Sequence, residues 1–468
     1  MGVTRVLSEA LLLWVSAAAG ILLWGQSMPG GWAELLAALQ QAVAPSVCCV
    51  VSFYYNDLYD LRIVHSFRDF ALRLPQAFGV GFILLAVCYT ILPDVRMSNG
   101  AFAMSVLAIP SVLLPLRAVA YGLMRRRPFL ERVLILGRGP LTEKILRELE
   151  VRPYLGYHVA GVADDATQPG HAHSLRGYPL LGPLEHLGKI LEEIKPDRII
   201  VSLAERRARL PVRQLLEARI NGSVVEDGVD AYERVTGKVA IEALTPSNLI
   251  FSRDFKKSRV DLAMGRAASL TVAILGLIVF SPLLALISLA IRLESKGPLL
   301  FVQERLGMNS RRFKLVKFRT MRVVDGHTSE WVHDNSDRIT RVGKWLRKFR
   351  LDELPQFVNV IRGDMNLVGP RPHPVSNLEL FGEGIPYYSL RAVVRPGITG
   401  WAQVRLGYAN NLEEETEKMR YDLYYIKRLS FWLDLRILFD TVKIVFFGRG
   451  SQSADAYRGQ ATVEMTGR

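Results

Sequence analysis

The chain has 468 residues, half of them hydrophobic, and a formal net charge of +14. This length accommodates two or three domains, and so apolar a composition is unusual for a soluble enzyme. The positive charge requires an anionic partner, and the apolar segments favour lipid headgroups or phosphorylated substrates over nucleic acid. The three cysteines lie in apolar runs without metal-ligand spacing, which argues against a disulfide framework or a zinc site.

Four apolar stretches open the chain, at residues 6–25, 32–55, 73–93 and 101–124. Each approaches the roughly 20 residues that a helix needs to cross a bilayer. Positive charge is concentrated in the loop at 56–72 and in Arg125–Arg127, and positive residues mark the cytoplasmic side. The sequence therefore predicts a four-helix transmembrane bundle over residues 1–128 with both ends in the cytoplasm.

Residues 129–245 have the pattern of a cytoplasmic Rossmann-like α/β domain. Strands are predicted at 132–137, 158–163 and 198–202, with a helix near 141–150 after the first strand. The glycine fingerprint begins with Gly137 and Gly139, but Thr142 stands where a third small residue is usual. This weak match leaves two interpretations open, a nucleotide site and a structural or regulatory module.

A fifth apolar stretch, residues 269–291, has basic residues on both sides. A complete crossing would place one basic flank outside the cell, which the distribution of positive charge disfavours. Ser281-Pro282 lies at its midpoint, where proline removes a backbone donor and breaks the helix. We expect a re-entrant helix–break–helix hairpin that enters and leaves by one leaflet. The alternative is an ordinary kinked helix that spans the membrane.

The last third of the chain contains the residues that can perform chemistry. A strand-like run at 314–321 places Lys317 and Arg319 on one face. Asp352-Glu353 precedes Pro355 and is predicted to begin a helix, where both carboxylates could act only as capping charges. Arginines at 347, 350, 371 and 395 favour another interpretation, a site for a diphosphate and a divalent metal ion. A carboxylate in such a site can also attack phosphorus.

The stretch from about 262 to 448 resembles the catalytic domain of the bacterial monotopic phosphoglycosyl transferases. These are the enzymes that initiate exopolysaccharide and O-antigen synthesis. The resemblance is carried, in fixed order, by the segments Ser281-Pro282, 317–321, 351–356, 369–372 and 395–400. The four-helix start and the Rossmann-like middle are similar to the large members of the same family.

The resemblance implies a reaction and a site. Asp352 would attack the β-phosphate of a UDP-sugar and release UMP, Glu353 would help to hold Mg²⁺, and undecaprenyl phosphate would then accept the phosphosugar. Asp352 and Glu353 are thus the predicted catalytic and metal-binding residues, and Ser281 and Pro282 the predicted hairpin break. The implied location is the bacterial inner membrane, with the catalytic domain, residues 260–450, at the cytoplasmic face.

The remaining assignments combine the resemblance with phosphoryl-transfer chemistry, in which cations neutralise the charge on the transferred group. Lys317, Arg319 and Arg347 are assigned to phosphate binding or structural support. Arg371 and Gln403 are assigned to the nucleotide end of the substrate. For Arg319 and Arg347 a purely structural role, such as fixing the carboxylates, is an equal alternative.

Two other functions are compatible with parts of the sequence. A membrane-anchored nucleotide-sugar dehydratase or epimerase would need a Tyr-x-x-x-Lys pair, and no lysine in the chain has a tyrosine four residues before it. A non-catalytic scaffold for polysaccharide export is disfavoured by the intact Asp352-Glu353 pair.

Several properties follow less directly from the sequence. A hexose, glucose or galactose, is the preferred sugar by analogy with the large family members, and a homodimer is a hypothesis. The segment 325–337 suggests no role, and the polar tail at 451–468 is predicted to be disordered.

Overall fold

The protein is described here by a computed structural model that covers residues 2–24, 32–59, 64, 67–124, 130–164, 174–203, 210–244, 258–322, 338–406 and 411–447. The segment 325–337, the Arg125–Arg127 run and the tail after Gly450 lie outside these residues. The chain divides into two compact units, Met1–Asp227 and Gly228–Arg468.

The first unit begins with long apolar helices at the positions that the sequence predicts. They are α1 (Gly2–Trp24), α2 (Trp32–Gln41), α3 (Val43–Tyr55), α4 (Phe67–Ile91) and α5 (Asn99–Met124). The second predicted stretch is divided at Ala42 into α2 and α3, which together form one membrane-length segment. Leu13, Phe53, Phe70 and Leu113 are buried at the centre, whereas many other large apolar side chains of these helices are exposed. Apolar residues on both faces identify a membrane protein.

Close contact between α1 and α5 depends on small residues and on an ion pair. A Cβ atom on Gly20 would lie 2.7 Å from the Ser105 backbone, so only glycine permits this approach. The buried guanidinium of Arg117 donates to the Glu9 carboxylate at 2.7 Å and lies over the ring of Phe70. Small residues at a helix contact and a paired intramembrane charge are the usual devices of membrane bundles.

The rest of the first unit is a parallel α/β fold, as predicted. Its strands are β1 (Glu131–Leu136), β2 (Tyr157–Ala163), the short β3 (Ser174–Leu175) and β4 (Tyr178–Pro179), then β5 (Arg198–Val201) and β6 (Val224–Asp227). The main sheet has the order β2-β1-β5-β6, with helices α6 (Pro140–Val151), α7 (Leu187–Ile194) and α8 (Val212–Ile220). The Thr142 hydroxyl donates to the Gly137 carbonyl at 2.7 Å, so the third fingerprint position ties the turn to the helix.

The boundary between the units differs from the predicted boundary at residue 245. Strand β6 runs directly into α9 (Gly228–Thr236), which belongs to the second unit. The segment after α9 buries Val239 and Ile241 in the same cluster as Met419 and Leu423. The sequence placed this segment in the Rossmann-like domain, and only its tertiary contacts assign it to the second unit.

The fifth apolar stretch forms two helices, α10 (Arg259–Val279) and α11 (Ser281–Glu294), which meet at Phe280. Pro282 lies in the first turn of α11, and the Ser281 hydroxyl donates to the Ile278 carbonyl at 2.8 Å. The break therefore occurs at the predicted dipeptide.

Both limbs of this helix pair pack against the body of the second unit. On α10, Arg266 donates to the carbonyls of Val360 and Met365. On α11, Ile287 and Ile291 join Phe318 and Leu346 in one buried cluster. The residues nearest the break are exposed and apolar.

The body of the second unit combines two small sheets with short helices. The antiparallel pair is β7 (Leu300–Leu306) with β8 (Arg312–Phe318), and the parallel pair is β9 (Asn366–Val368) with β10 (Gly397–Thr399). The helices are α12 (Arg341–Lys348), α13 (Phe357–Arg362), α14 (Leu378–Gly384), α15 (Trp401–Leu406), α16 (Leu412–Lys427) and α17 (Phe431–Phe447).

Candidate active site

The two adjacent carboxylates lie at the start of a helical segment, as predicted, although the first turn is 3₁₀ rather than α. Residues Leu351–Gln356 form this 3₁₀ segment, which continues into α13. Arg350 precedes it with φ of 53°, a left-handed conformation that is uncommon for a residue with a side chain. Asp352 and Glu353 are both buried, so neither is an exposed capping residue.

Glu353 is held by two arginines. Its Oε1 accepts from Arg371 at 3.0 Å and lies 3.6 Å from the Arg350 guanidinium. Burial alone would raise the pKa of the Glu353 carboxyl, but the charges of Arg371 and Arg350 hold that pKa below its ordinary value. Glu353 is therefore a fixed anion at neutral pH.

Asp352 has a different environment. Burial and the neighbouring Glu353 charge raise the pKa of the Asp352 carboxyl, while Lys317, Arg347 and Arg371 oppose this shift. Within the described part of the chain, no group donates a hydrogen bond to this carboxylate. Asp352 is thus a buried carboxylate on which three cations and the Glu353 anion act, without a structural hydrogen bond among the described residues, which suits a nucleophile.

Lys317 lies on β8 opposite Phe301 of β7, with its ammonium group 5.0 Å from the centre of the Phe301 ring. Burial, together with the positive charges of Arg371 and Arg305, lowers the pKa of the Lys317 ammonium group to about 8. The structure thus brings Lys317, Asp352 and Arg371 into one electrostatic cluster.

Arg347 and Arg319 have separate surroundings. Arg347 of α12 donates through Nε to the Thr320 hydroxyl at 2.9 Å, and its charge acts on Asp352. The buried Arg319 donates to the carbonyls of Lys296 and Ser295, each at 2.7 Å. Since β8 ends at Phe318, strand alternation no longer fixes the direction of Arg319, and its described contacts support the end of α11 rather than the carboxylates.

Arg371 is placed by close packing between two glycine-containing motifs. A Cβ atom on Gly369 would lie 2.4 Å from the Arg395 carbonyl, and one on Gly397 would lie 2.1 Å from the Gly369 nitrogen. These distances are below any real contact, so both positions require glycine. The motifs at 369–372 and 395–400, distant in sequence, thus form one backbone layer beside the carboxylates.

Gln403, the other residue assigned to the nucleotide, is buried at the start of α15. Its Nε2 donates to the Ile398 carbonyl at 2.9 Å, while its Oε1 has no hydrogen-bond partner among the described residues. No described contact joins Gln403 to the carboxylates, so its nucleotide role stays a prediction.

Two residues near the site have no individual role assigned from the sequence. Arg350 pairs with Glu353, and Arg305 lowers the Lys317 pKa. Arg350 lies two residues before Asp352, and the sequence already counts it among the arginines near the carboxylates. Arg305 lies on β7, and only the strand pairing brings it near Lys317.

The carboxylate pair fits a magnesium ion as far as its donor set is concerned. Mg²⁺ commonly takes one or two protein carboxylates and completes its shell with water and substrate phosphates. Asp352 and the Oε2 atom of Glu353 have no described hydrogen bond that would compete, and no set of three or more candidate ligands occurs in the described residues. The site could therefore share a metal ion with a diphosphate substrate.

Comparison with protein families gives two matches. Residues 260–448 match a family model described as bacterial sugar transferase, which covers most of the unit that holds the carboxylates. Residues 55–218 match a model described as CoA-binding domain, which covers part of the bundle and much of the parallel sheet.

Comparison with individual proteins agrees with the first match. The chain is 41% identical over 221 residues to UDP-N-acetylgalactosamine-undecaprenyl-phosphate N-acetylgalactosaminephosphotransferase of Aeromonas hydrophila, a match that covers 47% of this chain and 52% of that relative. It is 33% identical over 334 residues to UDP-glucose:undecaprenyl-phosphate glucose-1-phosphate transferase of Escherichia coli K12, covering 69% and 70%. The Klebsiella pneumoniae enzyme of the same description is 32% identical over 380 residues, covering 78% and 79%.

The alignment with the Aeromonas relative spans about half its length, whereas those with the other two span more than two thirds. The residues that carry the sequence motifs lie within the matched sugar-transferase region, which includes the buried carboxylates Asp352 and Glu353. The chain belongs to the polyprenyl-phosphate sugar-1-phosphate transferases, the phosphoglycosyl transferase enzyme family.

Proposed function

We propose that this protein transfers a sugar 1-phosphate from a UDP-sugar to undecaprenyl phosphate through a covalent intermediate on Asp352. The observation that carries the proposal is the asymmetry of the two buried carboxylates. Glu353 is fixed by Arg371 and Arg350, while Asp352 lies beside three cations without a described hydrogen bond. The names of the relatives support the two substrates.

In the first half of the reaction, a carboxylate oxygen of Asp352 attacks the β-phosphorus of the UDP-sugar. The bond between this phosphorus and the bridging oxygen breaks, UMP leaves with that oxygen, and the sugar phosphate remains on Asp352 as an acyl phosphate. Lys317, Arg347 and Arg371 bind the diphosphate and neutralise charge on the transferred group. Asp352 and Glu353 would hold Mg²⁺, which supplies further positive charge to the diphosphate.

In the second half, a phosphate oxygen of undecaprenyl phosphate attacks the same phosphorus. The bond from phosphorus to the Asp352 oxygen breaks, which regenerates the carboxylate and gives the lipid-linked diphospho-sugar. Since no water enters either half, burial of the site protects the acyl phosphate from hydrolysis.

We propose that α10 and α11 form a re-entrant hairpin that places this reaction at the cytoplasmic face of the inner membrane. A 14-residue helix such as α11 is about 21 Å long, less than the roughly 30 Å of a bilayer's hydrocarbon core. Both limbs contact one compact unit, and basic residues lie at both ends, Arg259 and Arg266 before and Arg292 and Lys296 after. These features support entry and exit through one leaflet.

The sugar is proposed to be a hexose, with glucose or galactose expected and N-acetylgalactosamine also represented among the relatives. A panel of UDP-sugars containing all three, tested with the protein in nanodiscs with undecaprenyl phosphate and Mg²⁺, would identify the donor by UMP release. A donor outside this panel would contradict the expected sugar without contradicting the reaction.

The decisive variant is Asp352→Asn, which removes the nucleophile at nearly constant volume. UMP release should disappear, and intact-mass spectrometry without the lipid acceptor should show a hexose-phosphate adduct on the wild type only. Asp364→Asn is the matched control, because Asp364 lies close in sequence and its contact with Asn359 can be kept by an amide oxygen. An active Asp352→Asn protein would refute the covalent mechanism.

A further inference from the structure

The segment that carries Arg371 has an unusual backbone. It reads Gly369-Pro370-Arg371-Pro372-His373-Pro374, so three of its six residues are prolines without an N–H donor. Such a segment cannot be held by a regular ladder of its own amide groups. Its position therefore depends on donors that reach its carbonyl oxygens from other elements.

The structure supplies such a donor to four successive carbonyls. Two are backbone amides, with the Gly397 N–H donating to the Pro370 carbonyl at 3.0 Å and the Leu306 N–H to the His373 carbonyl at 3.1 Å. The other two are guanidinium groups. Arg391 donates through Nη2 to the Arg371 carbonyl, and Arg305 through Nη1 to the Pro372 carbonyl, each at 3.0 Å.

Arg391 is itself fixed in place. Its guanidinium lies 2.8 Å from the Asp422 carboxylate and 3.7 Å from Glu415, both on α16. It also lies over the ring of Tyr388, whose hydroxyl contacts Nδ1 of His373 at 2.7 Å. His373 in turn contacts Glu415 at 2.9 Å. The donor that holds Arg371 is thus connected to α16 through buried charged groups.

The planar guanidinium suits this task for a geometric reason. Nη2 of the guanidinium donates to the Arg371 carbonyl and lies 2.8 Å from the Asp422 carboxylate, so one rigid planar group forms the hydrogen bond and the ion pair in a fixed geometry. A lysine ammonium at the same position would keep the charge opposite Asp422 but lacks this fixed geometry.

We propose that Arg391 is a positioning residue, which holds the Arg371 backbone so that the Arg371 guanidinium meets Glu353 and the substrate diphosphate. This inference rests on the proposed function for its kinetic consequence, although the backbone contact exists independently of it. Arg305 donates to the neighbouring carbonyl, that of Pro372, and so helps to hold the same backbone segment.

The test is Arg391→Lys in the full-length protein in nanodiscs, alone and combined with Arg371→Ala. With the UDP-sugar that the wild type uses, kcat/KM should fall between about 10- and 100-fold, because displacement of a catalytic group by an ångström has costs of this size. In the Arg371→Ala background the same change should cost less than about twofold, since coupled residues are not additive. Equal losses in both backgrounds would refute the positioning role.

A matched control separates positioning from general destabilisation. Arg420→Lys removes a partly buried guanidinium that lies on α16 itself, pairs with Glu242 and Glu417 and has no described contact with Arg371. This control should lower thermal stability and leave kcat/KM within about twofold, as expected for independent sites. A loss as large as that of Arg391→Lys would show that any weakening of α16 impairs the site and would overturn the proposal.

A second measurement needs no substrate and no turnover. The Leu306 and Gly397 amides donate to carbonyls of the segment, so Arg391→Lys should accelerate their hydrogen exchange while Arg420→Lys should not. If Arg391→Lys left the exchange of both amides unchanged, the positioning role of Arg391 would be refuted even if the enzyme were active. If the wild type released no UMP, the proposed function would fail, and this exchange experiment would still decide the positioning role.

Discussion

The membrane bundle and the second unit both bury charged side chains, but they use them differently. In the bundle, Arg117 and Glu9 form an ion pair that joins α1 to α5. In the second unit, Asp352, Glu353 and Lys317 belong to one electrostatic cluster, in which the charges of Lys317, Arg347 and Arg371 act on Asp352. Lipid gives helices little hydrophobic reason to choose a particular neighbour, so a paired charge specifies the contact. In the second unit, buried charge prepares a site for an anionic substrate.

The largest expected effect is on the bundle. Arg117→Met leaves Glu9 buried without its partner, which should destabilise the protein by about 3–5 kcal/mol. Thermal denaturation in nanodiscs would measure the loss, and the double variant Arg117→Met/Glu9→Gln should recover much of it. UMP release per folded molecule should stay unchanged. A loss of turnover in the folded fraction would contradict a purely structural pair.

The corresponding change in the second unit should affect catalysis instead. Glu353→Gln removes the anion that holds Arg371 and Arg350 and a proposed magnesium ligand. We expect UMP release to fall by about 10²- to 10³-fold, the range for loss of one preorganised electrostatic group. Glu9→Gln, the same substitution at a buried carboxylate of the bundle, is the control. Similar turnover for the two variants would remove the distinction between the regions.

The protonation of the Lys317 ammonium group gives the second unit a pH dependence that tests its role in the site. Its pKa of about 8 means that it is charged below this pH and neutral above it, so diphosphate binding should weaken as pH rises through 8. We expect kcat/KM, which reports the free enzyme, to fall across this window. In Lys317→Arg the fall should move to higher pH. A wild-type profile that stays flat to pH 9 would contradict the assigned role.

The smallest effect concerns a contact between α15 and the segment that follows α9. The Trp401 indole donates to the Gly237 carbonyl at 2.8 Å, which fastens residues after the first unit to the helix that carries Gln403. Trp401→Phe should lower the free energy of unfolding by about 1 kcal/mol, the usual contribution of one hydrogen bond. Trp345→Phe, at a side chain that is 66% exposed, should change it little. Equal changes in the free energy of unfolding for the two variants would show that the Trp401 hydrogen bond does not stabilise the second unit.

Much of the architecture could be predicted from the sequence because its causes are local. Hydropathy and length located the membrane helices, alternating strand and helix patterns located the parallel sheet, and Ser281-Pro282 located the helix break. Each signal acts within a few turns of chain, where proline chemistry and apolar periodicity dominate. The family resemblance, carried by ordered motifs, was confirmed by the family and relative matches.

Tertiary structure alone decided which cations meet which carboxylates. Spacing placed Lys317 and Arg319 on one face, yet Lys317 lies near Asp352 while Arg319 holds the end of α11. The residues between Gly228 and Leu244, which the sequence placed in the Rossmann-like domain, belong to the second unit. The support of Arg371 by Arg391 spans 20 residues and depends on the placement of α16. Sequence specifies side-chain chemistry and local periodicity, whereas long-range packing sets the distances through which charges act.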